Sequence, residues 1–245
     1  MSAKRRFVIR DWKQADAYVS VQHLNGAQWA WEFLRRNPVY QLEWSAFNDV
    51  WQQLEAAYGR PPNRDFCAWK ADPRAWVPAD SCTEGDCRID GDKVLIECAL
   101  GARWGFYKFP PDPRDDDPVG DQRLTWREVQ QPVKTVVAAD VDWFAEPSHF
   151  ALGFDLSVPL RDQIEQAKRT LQAEQRRRLR AELIRSPSAA QRADEYRVML
   201  RLLDAETVSA SADELASISQ RWEHMLEHAR GLRDAGYRQL SLLQD

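Results

Sequence analysis

The sequence predicts an α+β chain with a helical N-terminal unit, a small β-containing middle region and a C-terminal helical domain. Three observations carry the prediction. Large apolar residues recur at helical spacing near the start, short β-prone runs separated by turn residues fill the middle, and capping signals recur toward the end. The expected divisions are 1–62, 63–153 and 154–245. Charge follows them approximately: residues 1–60 hold eight basic and six acidic groups, 61–155 eleven and eighteen, and 156–245 fifteen and fourteen.

In the first region Trp29 and Phe33 lie on a short helix that must stop at Asn37, because a residue preceding proline is pushed out of the helical region. A second helix follows, with Tyr40, Trp44, Phe47, Trp51, Leu54 and Tyr58 spaced alternately by four and three, so that they share one face. Gly59-Arg60-Pro61-Pro62 ends it. With Trp12, Tyr18 and Trp31 these rings form either a small core or a core that leaves some rings free for docking. The second alternative makes Trp29, Trp31, Trp44 and Trp51 candidates for an oligomer interface.

In the middle region Val94-Leu95-Ile96 and the run Trp104 to Phe109 flank Gly101 and are expected to pair as a hairpin. Pro110-Pro111-Asp112-Pro113 and Asp115-Asp116-Asp117-Pro118 break the pattern, and a last strand is expected at Val133 to Ala138. Three adjacent carboxylates offer oxygen ligands, but neighbours in sequence converge poorly on one ion and no calcium-loop spacing is present, so a solvated loop is expected. Cys67, Cys82, Cys87 and Cys98 are too sparse for a disulfide scaffold and lack paired-knuckle spacing, so thiols are expected rather than zinc ligands. His224 and His228 share a helical face without an H-E-x-x-H motif. No metal and no cofactor is expected.

The last region opens with a helix from Leu160. Ile164, Ala167 and Leu171 form its stripe, while Arg169, Arg176 and Arg180 fall on another side. Residues 161–201 hold eleven Lys or Arg against six Asp or Glu in a chain whose formal charge is −4. Such a run is a solvated face, a phosphate grip or a contact for an acidic protein. After Pro187, Ser188 with Gln191 and Ser211 with Glu214 mark two helix starts, and Trp222, Met225, Ala229 and Leu232 mark a third helix ended by Gly236. Three helices with a short middle one suit a helix-turn-helix arrangement, and equally a plain trihelical scaffold.

The first ten residues have Lys4, Arg5 and Arg6 without an apolar run, and no segment approaches the roughly 18 apolar residues that span a bilayer, so no membrane partner and a cytoplasmic location are expected. A glycine-rich phosphate loop, a lipase elbow and a metalloprotease motif are all missing from the sequence, so no enzymatic function and no catalytic residue are expected.

Several phrases resemble a bacterial regulator family. WAWEFLRRNPVYQLEW at 29–44, ARWGFYKFPPDP at 102–113, FDLSVPLRDQIEQAKRTL at 154–171, LRLLDA at 200–205 and AGYRQL at 235–240 are similar, in order and wording, to regulators with an N-terminal mobile-element regulator domain and a C-terminal DUF2285 DNA-binding domain. That group includes the RovC-like activators. The resemblance implies an oligomeric, sequence-specific DNA-binding transcriptional regulator, an activator of a horizontally acquired or secretion-related operon, with contacts to RNA polymerase or a regulatory protein. The family's arginine-rich last helix keeps Arg221, Arg230 and Arg233 here as candidates for double-stranded DNA, and the charge run offers the alternative that binding has moved onto Arg169, Arg176, Arg177 and Arg180, helped by Arg192, Arg197 and Arg201. One departure stands out: Glu223, His224, Glu227 and His228 occupy a stretch that is commonly basic in the family. Some small relatives act as antiactivators through protein contact, which leaves a regulatory module that does not grip DNA as the alternative.

Overall fold

A computed structural model describes residues 7, 9–82, 89–107, 109–116, 126–127, 146–184 and 188–243. The fold is α+β, built among the described residues mainly of helices with a two-stranded antiparallel sheet. It divides into two compact units, one formed by Met1–Val129 with Ser188–Asp245, the other by Gln130–Pro187. These units cut across the three consecutive segments read from charge and pattern, because the C-terminal helices pack on the N-terminal ones.

In the first unit a 3-10 turn, Ala15–Val21, buries Tyr18 and Val21 ahead of helix α1, Gly26–Leu34. A capping box opens α1: the Asn25 side chain accepts from the Gln28 amide and the Gln28 side chain accepts from the Asn25 amide. As the proline required, α1 stops before Asn37, whose side chain caps the next helix by accepting from the Val39 and Tyr40 amides, with Pro38 in the first helical position. This helix, α2, runs Pro38–Tyr58 and ends at Gly59, whose φ of 81° suits glycine. Its aromatic stripe serves two cores. Tyr40, Trp44 and Phe47 join the main cluster, while Trp51, Leu54 and Tyr58 join a smaller one with Trp69 of helix α3, Phe66–Ala71.

The expected hairpin is corrected by the structure. Strand β2, Lys93–Leu95, pairs antiparallel with β1, Trp76–Pro78, in the register Trp76 to Leu95 and Val77 to Val94. Ile96 begins helix α4, Ile96–Arg103, which carries Gly101 inside it. Glu97, Ala99, Leu100 and Ala102 favour helix and outweigh the β-branched start of the run. Phe106 keeps only an isolated bridge to Trp126. The strand expected at 133–138 lies outside the described residues. Cys82 is disulfide-bonded, which corrects the thiol expectation at that position; Cys67 is an exposed thiol and Cys87 lies outside the described residues.

The C-terminal part of this unit follows its capping signals. Helix α6, Ala189–Thr207, starts at Ser188, and α7, Ala212–Ile218, starts from a complete Ser211–Glu214 capping box. Helix α8, Trp222–Gly231, packs on α6 and α7. Gly236 does not end it. A π turn over Leu232–Gly236 inserts one extra residue and leads directly into α9, Tyr237–Leu240, which returns Tyr237 and Leu240 to the core.

In the second unit helix α5 spans Leu160–Arg180 and buries none of its residues. The preceding stretch is tied to it at both ends. Gln163 accepts from the Asp155 amide and donates to the Asp155 carbonyl, both at 2.9 Å, and Arg178 donates to the His149 carbonyl at 2.7 Å while its guanidinium lies over the Phe150 ring.

Candidate nucleic-acid interface

Helix α5 holds seven basic and three acidic residues. Its rotation of about 100° per residue puts Arg169, Arg176 and Arg180 on one ridge, opposite Leu160, Ile164 and Leu171. The ridge spans about 16 Å of helix axis, several steps of a DNA strand that rises about 3.4 Å per phosphate. Arg169, Arg176 and Arg180 are exposed and form no ion pair among the described residues, although the Arg176 Nε donates to the Gln172 carbonyl at 3.1 Å. Arg177 and Arg178 differ from them. Both grip Glu174, at 2.6 and 2.7 Å, and their hydrogen bonds hold its carboxyl at about 2, well below the usual glutamate range. The order of the segment therefore produces two kinds of arginine: those three or four residues after Glu174 pair with it, and those on the opposite side stand exposed without an ion pair among the described residues.

The other arginines expected at DNA belong to the first unit and are mostly committed. Arg201 donates to the Trp12 carbonyl at 2.7 Å, Arg197 pairs with Asp194 at 3.0 Å, and Arg192 is exposed beside the Tyr196 hydroxyl. On α8, Arg230 is held by Glu206 through its Nε at 2.7 Å, and in the π turn that follows Arg233 pairs with Glu206 at 3.1 Å and Asp234 at 2.7 Å. Arg221, in the turn before α8, is exposed and carries no ion pair among the described residues. The outward face of α8 presents Glu223, His224 and Glu227, with Leu226 and Ala229 turned inward. Carboxylates repel phosphates, so this helix offers base edges an accepting rather than a donating surface.

The rings considered for an oligomer interface lie elsewhere. Trp29 and Trp31 are 0% and 1% exposed and Trp44 is 7% exposed, all within the main core, and Trp51 is half-buried against Trp69. The core alternative accounts for them. Trp29 meets Tyr196 edge-on at 5.2 Å between centroids, and Trp31 meets Tyr40 and Phe106.

The same core contains an ionic cluster that pattern reading missed. Glu32 accepts from Arg10 at 2.6 Å, from Arg36 at 2.6 Å and from Arg35 at 3.1 Å. Arg36 also forms a two-pronged pair with Asp204 of α6, at 3.0 and 2.8 Å, and Asp204 accepts from the Tyr18 hydroxyl at 2.6 Å. Burial alone would raise the Glu32 carboxyl, but Arg36, Arg10 and Arg35 together hold it at about 2. Arg35 reaches Asp116 at 2.9 Å as well, so one carboxylate of the acidic loop serves as an ion-pair partner and not as free solvated charge. Among the described residues no group of three or more His, Cys, Asp or Glu is placed to hold a metal ion. The signal for the ionic cluster was present in Glu32, Arg35 and Arg36, which sit at i, i+3 and i+4 across the C-terminal end of α1.

Residues 11–69 match the family model of a proteobacterial transcriptional regulator-like domain. The match supports a regulatory role in transcription and covers the 3-10 turn, α1, α2 and most of α3. No curated protein and no solved structure gives a match. No helix among the described residues is long and apolar enough to cross a membrane.

Proposed function

We propose that the chain is a cytoplasmic DNA-binding transcriptional regulator that seats the α5 arginine ridge on the phosphates of duplex DNA. The observation that carries this reading is the set of three exposed arginines, Arg169, Arg176 and Arg180, free of ion pairs among the described residues and aligned on one helix of a chain with net charge −4. Solvated arginines on an acidic protein cost some helix stability through self-repulsion; on a phosphate backbone they release counterions and contribute affinity. The finer reading, an oligomeric activator of the RovC-like, DUF2285-containing type acting with RNA polymerase, rests on the sequence resemblance and on the regulator-like segment.

A second reading has its own observation. The candidate recognition helix α8 shows Glu223 and Glu227 outward, and its Arg230 and the Arg233 of the following π turn are tied to Glu206, which suits contact with a regulatory protein better than entry into a major groove. Binding of purified chain to pooled genomic duplex fragments separates the two. Retention of fragments at about 50 mM salt, falling steeply as salt rises, supports the first reading, and no retention supports the second.

A further inference from the structure

The C-terminal third of α5 carries a cavity that contact with DNA does not explain. Its volume is about 530 Å³, and among the described residues Ala173, Arg176, Arg177, Arg180 and Ala181 line it. The sequence builds it. Residues three, four and seven places after Ala173 stand on the same side of the helix, and all three are arginine, so long side chains ring a position whose own side chain is one methyl group. Ala181, just past the helix end, adds a second short side chain. The cavity is offset from the arginine ridge: Arg177, which lies off the ridge, lines it, and Arg169, which lies on the ridge, does not.

Charge and donors suit an anion there. Residues 173–181 hold four arginines against Glu174 alone. Arg177 gives its Nε and Nη2 to Glu174 at 2.7 and 2.6 Å, which leaves Nη1 outside that pair, and Arg176 uses its Nε on the Gln172 carbonyl. Arg180 is exposed and forms no ion pair among the described residues. The end of a helix disfavours an anion through its free carbonyls, but here the carbonyls of Arg177, Leu179 and Arg178 accept from the amides of Ala181, Glu182 and Leu183 at 3.1, 3.1 and 3.0 Å. Guanidinium groups match phosphate oxygens in pairs, and the volume falls within the range of small-ligand sites, about 300–1,000 Å³.

We propose that this cavity binds a small molecule with adjacent phosphates, of the size of a nucleoside diphosphate, and that the bound ligand withdraws Arg176 and Arg180 from DNA. The withdrawal rests on the proposed function; the binding does not. A singly charged anion fits less well, because three guanidinium groups around one cavity are neutralised by a single ligand only when it carries several charges.

Equilibrium dialysis of the full chain against adenosine diphosphate and against inorganic pyrophosphate, without divalent ions and at fixed ionic strength, tests the site. Both should bind once per chain and more tightly than sulfate. Ala173→Leu fills the cavity without altering charge, and Arg177→Gln removes one guanidinium group from its wall. Each should weaken binding by about tenfold or more with an unchanged far-ultraviolet spectrum, whereas Arg169→Gln should leave binding as it is. Binding of neither probe up to about 1 mM overturns the proposal. So does wild-type affinity in Ala173→Leu, and so does sulfate binding as tight as that of the phosphates or an equal loss in Arg169→Gln, either of which would mean attraction by charge alone. Adenosine diphosphate should also release retained genomic fragments from the wild type and not from Ala173→Leu; equal release from both would overturn the withdrawal. A wild type that binds both probes but retains no fragment would count against the proposed function, and the withdrawal with it, while the site stands.

Discussion

Replacing Asp204 by asparagine tests whether the C-terminal helices complete the N-terminal regulator-like segment. The carboxylate is 1% exposed, takes two hydrogen bonds from Arg36 at 3.0 and 2.8 Å and a third from Tyr18 at 2.6 Å, and Arg36 is itself 2% exposed. Asparagine keeps the shape but removes the negative charge and turns an N–H group toward donors. Arg36 then keeps Glu32 alone as a carboxylate partner, shared with Arg10 and Arg35, and the excess buried charge costs up to about 3–5 kcal/mol, a large share of a total stability of about 5–15 kcal/mol. Urea unfolding at neutral pH, followed by far-ultraviolet dichroism and by tryptophan fluorescence, should show the midpoint falling with both probes together, since Trp29 and Trp31 lie in the same core. Removing both partners by Arg36→Met with Asp204→Leu should recover part of the loss, because no lone charge then remains although the Tyr18 hydroxyl loses its acceptor. A loss below about 1 kcal/mol in the single variant, or a double variant as unstable as the single, would refute the reasoning.

The remaining expectations concern the same unit. Acid should destabilise the fold through Glu32: its carboxyl is lowered from 4.5 to about 2, so about 3 kcal/mol of stability is present above pH 4.5 and is lost progressively as the pH falls toward 2. Glu32→Gln should flatten that acid limb of a stability-versus-pH curve, and an unchanged limb would count against it. Trp29→Ala should cost about 3–5 kcal/mol and lower the melting temperature at every protein concentration, because it opens the subunit core; a subunit of unchanged stability that had lost only its assembly would contradict this. Gly26→Ala should lower the melting temperature despite alanine's better helix propensity, since its methyl group would collide with the Leu240 carbonyl oxygen where α9 meets α1; an unchanged or higher melting temperature would mean that this close approach relaxes freely.

Local chemistry made much of this fold legible. Asn37-Pro38 marked the boundary between α1 and α2, and Ser188 and Ser211 marked the starts of α6 and α7, because caps and prolines act within a few residues. The errors came where distant contacts decided. Val94 and Leu95 pair with Trp76 and Val77, not with the segment after Gly101, and no local pattern specifies a partner across that distance. Gly236 read as a stop, yet the core's demand for Tyr237 and Leu240 carries the helix through it as a π turn. Charge composition found the basic helix. It did not separate Arg177, captured by Glu174, from Arg176 beside it, and helical phase supplies that distinction only once the helix bounds are known. Trp29, Trp31 and Trp44 were readable as aromatic but not as buried, since much of what covers them is distant in sequence, Tyr196 over Trp29 and Phe106 over Trp31 among it.

The proposed function seats the three outward arginines of α5 on DNA phosphates, and the salt dependence of duplex binding tests that proposal most directly. Arg169→Gln, Arg176→Gln and Arg180→Gln combined in one chain should weaken binding to the retained genomic fragments. The slope of log affinity against log salt should become shallower by about 0.9 for each phosphate that is no longer neutralised, with dichroism unchanged because all three side chains lie in solvent. The same slope and affinity in the triple variant and the wild type would contradict the assignment.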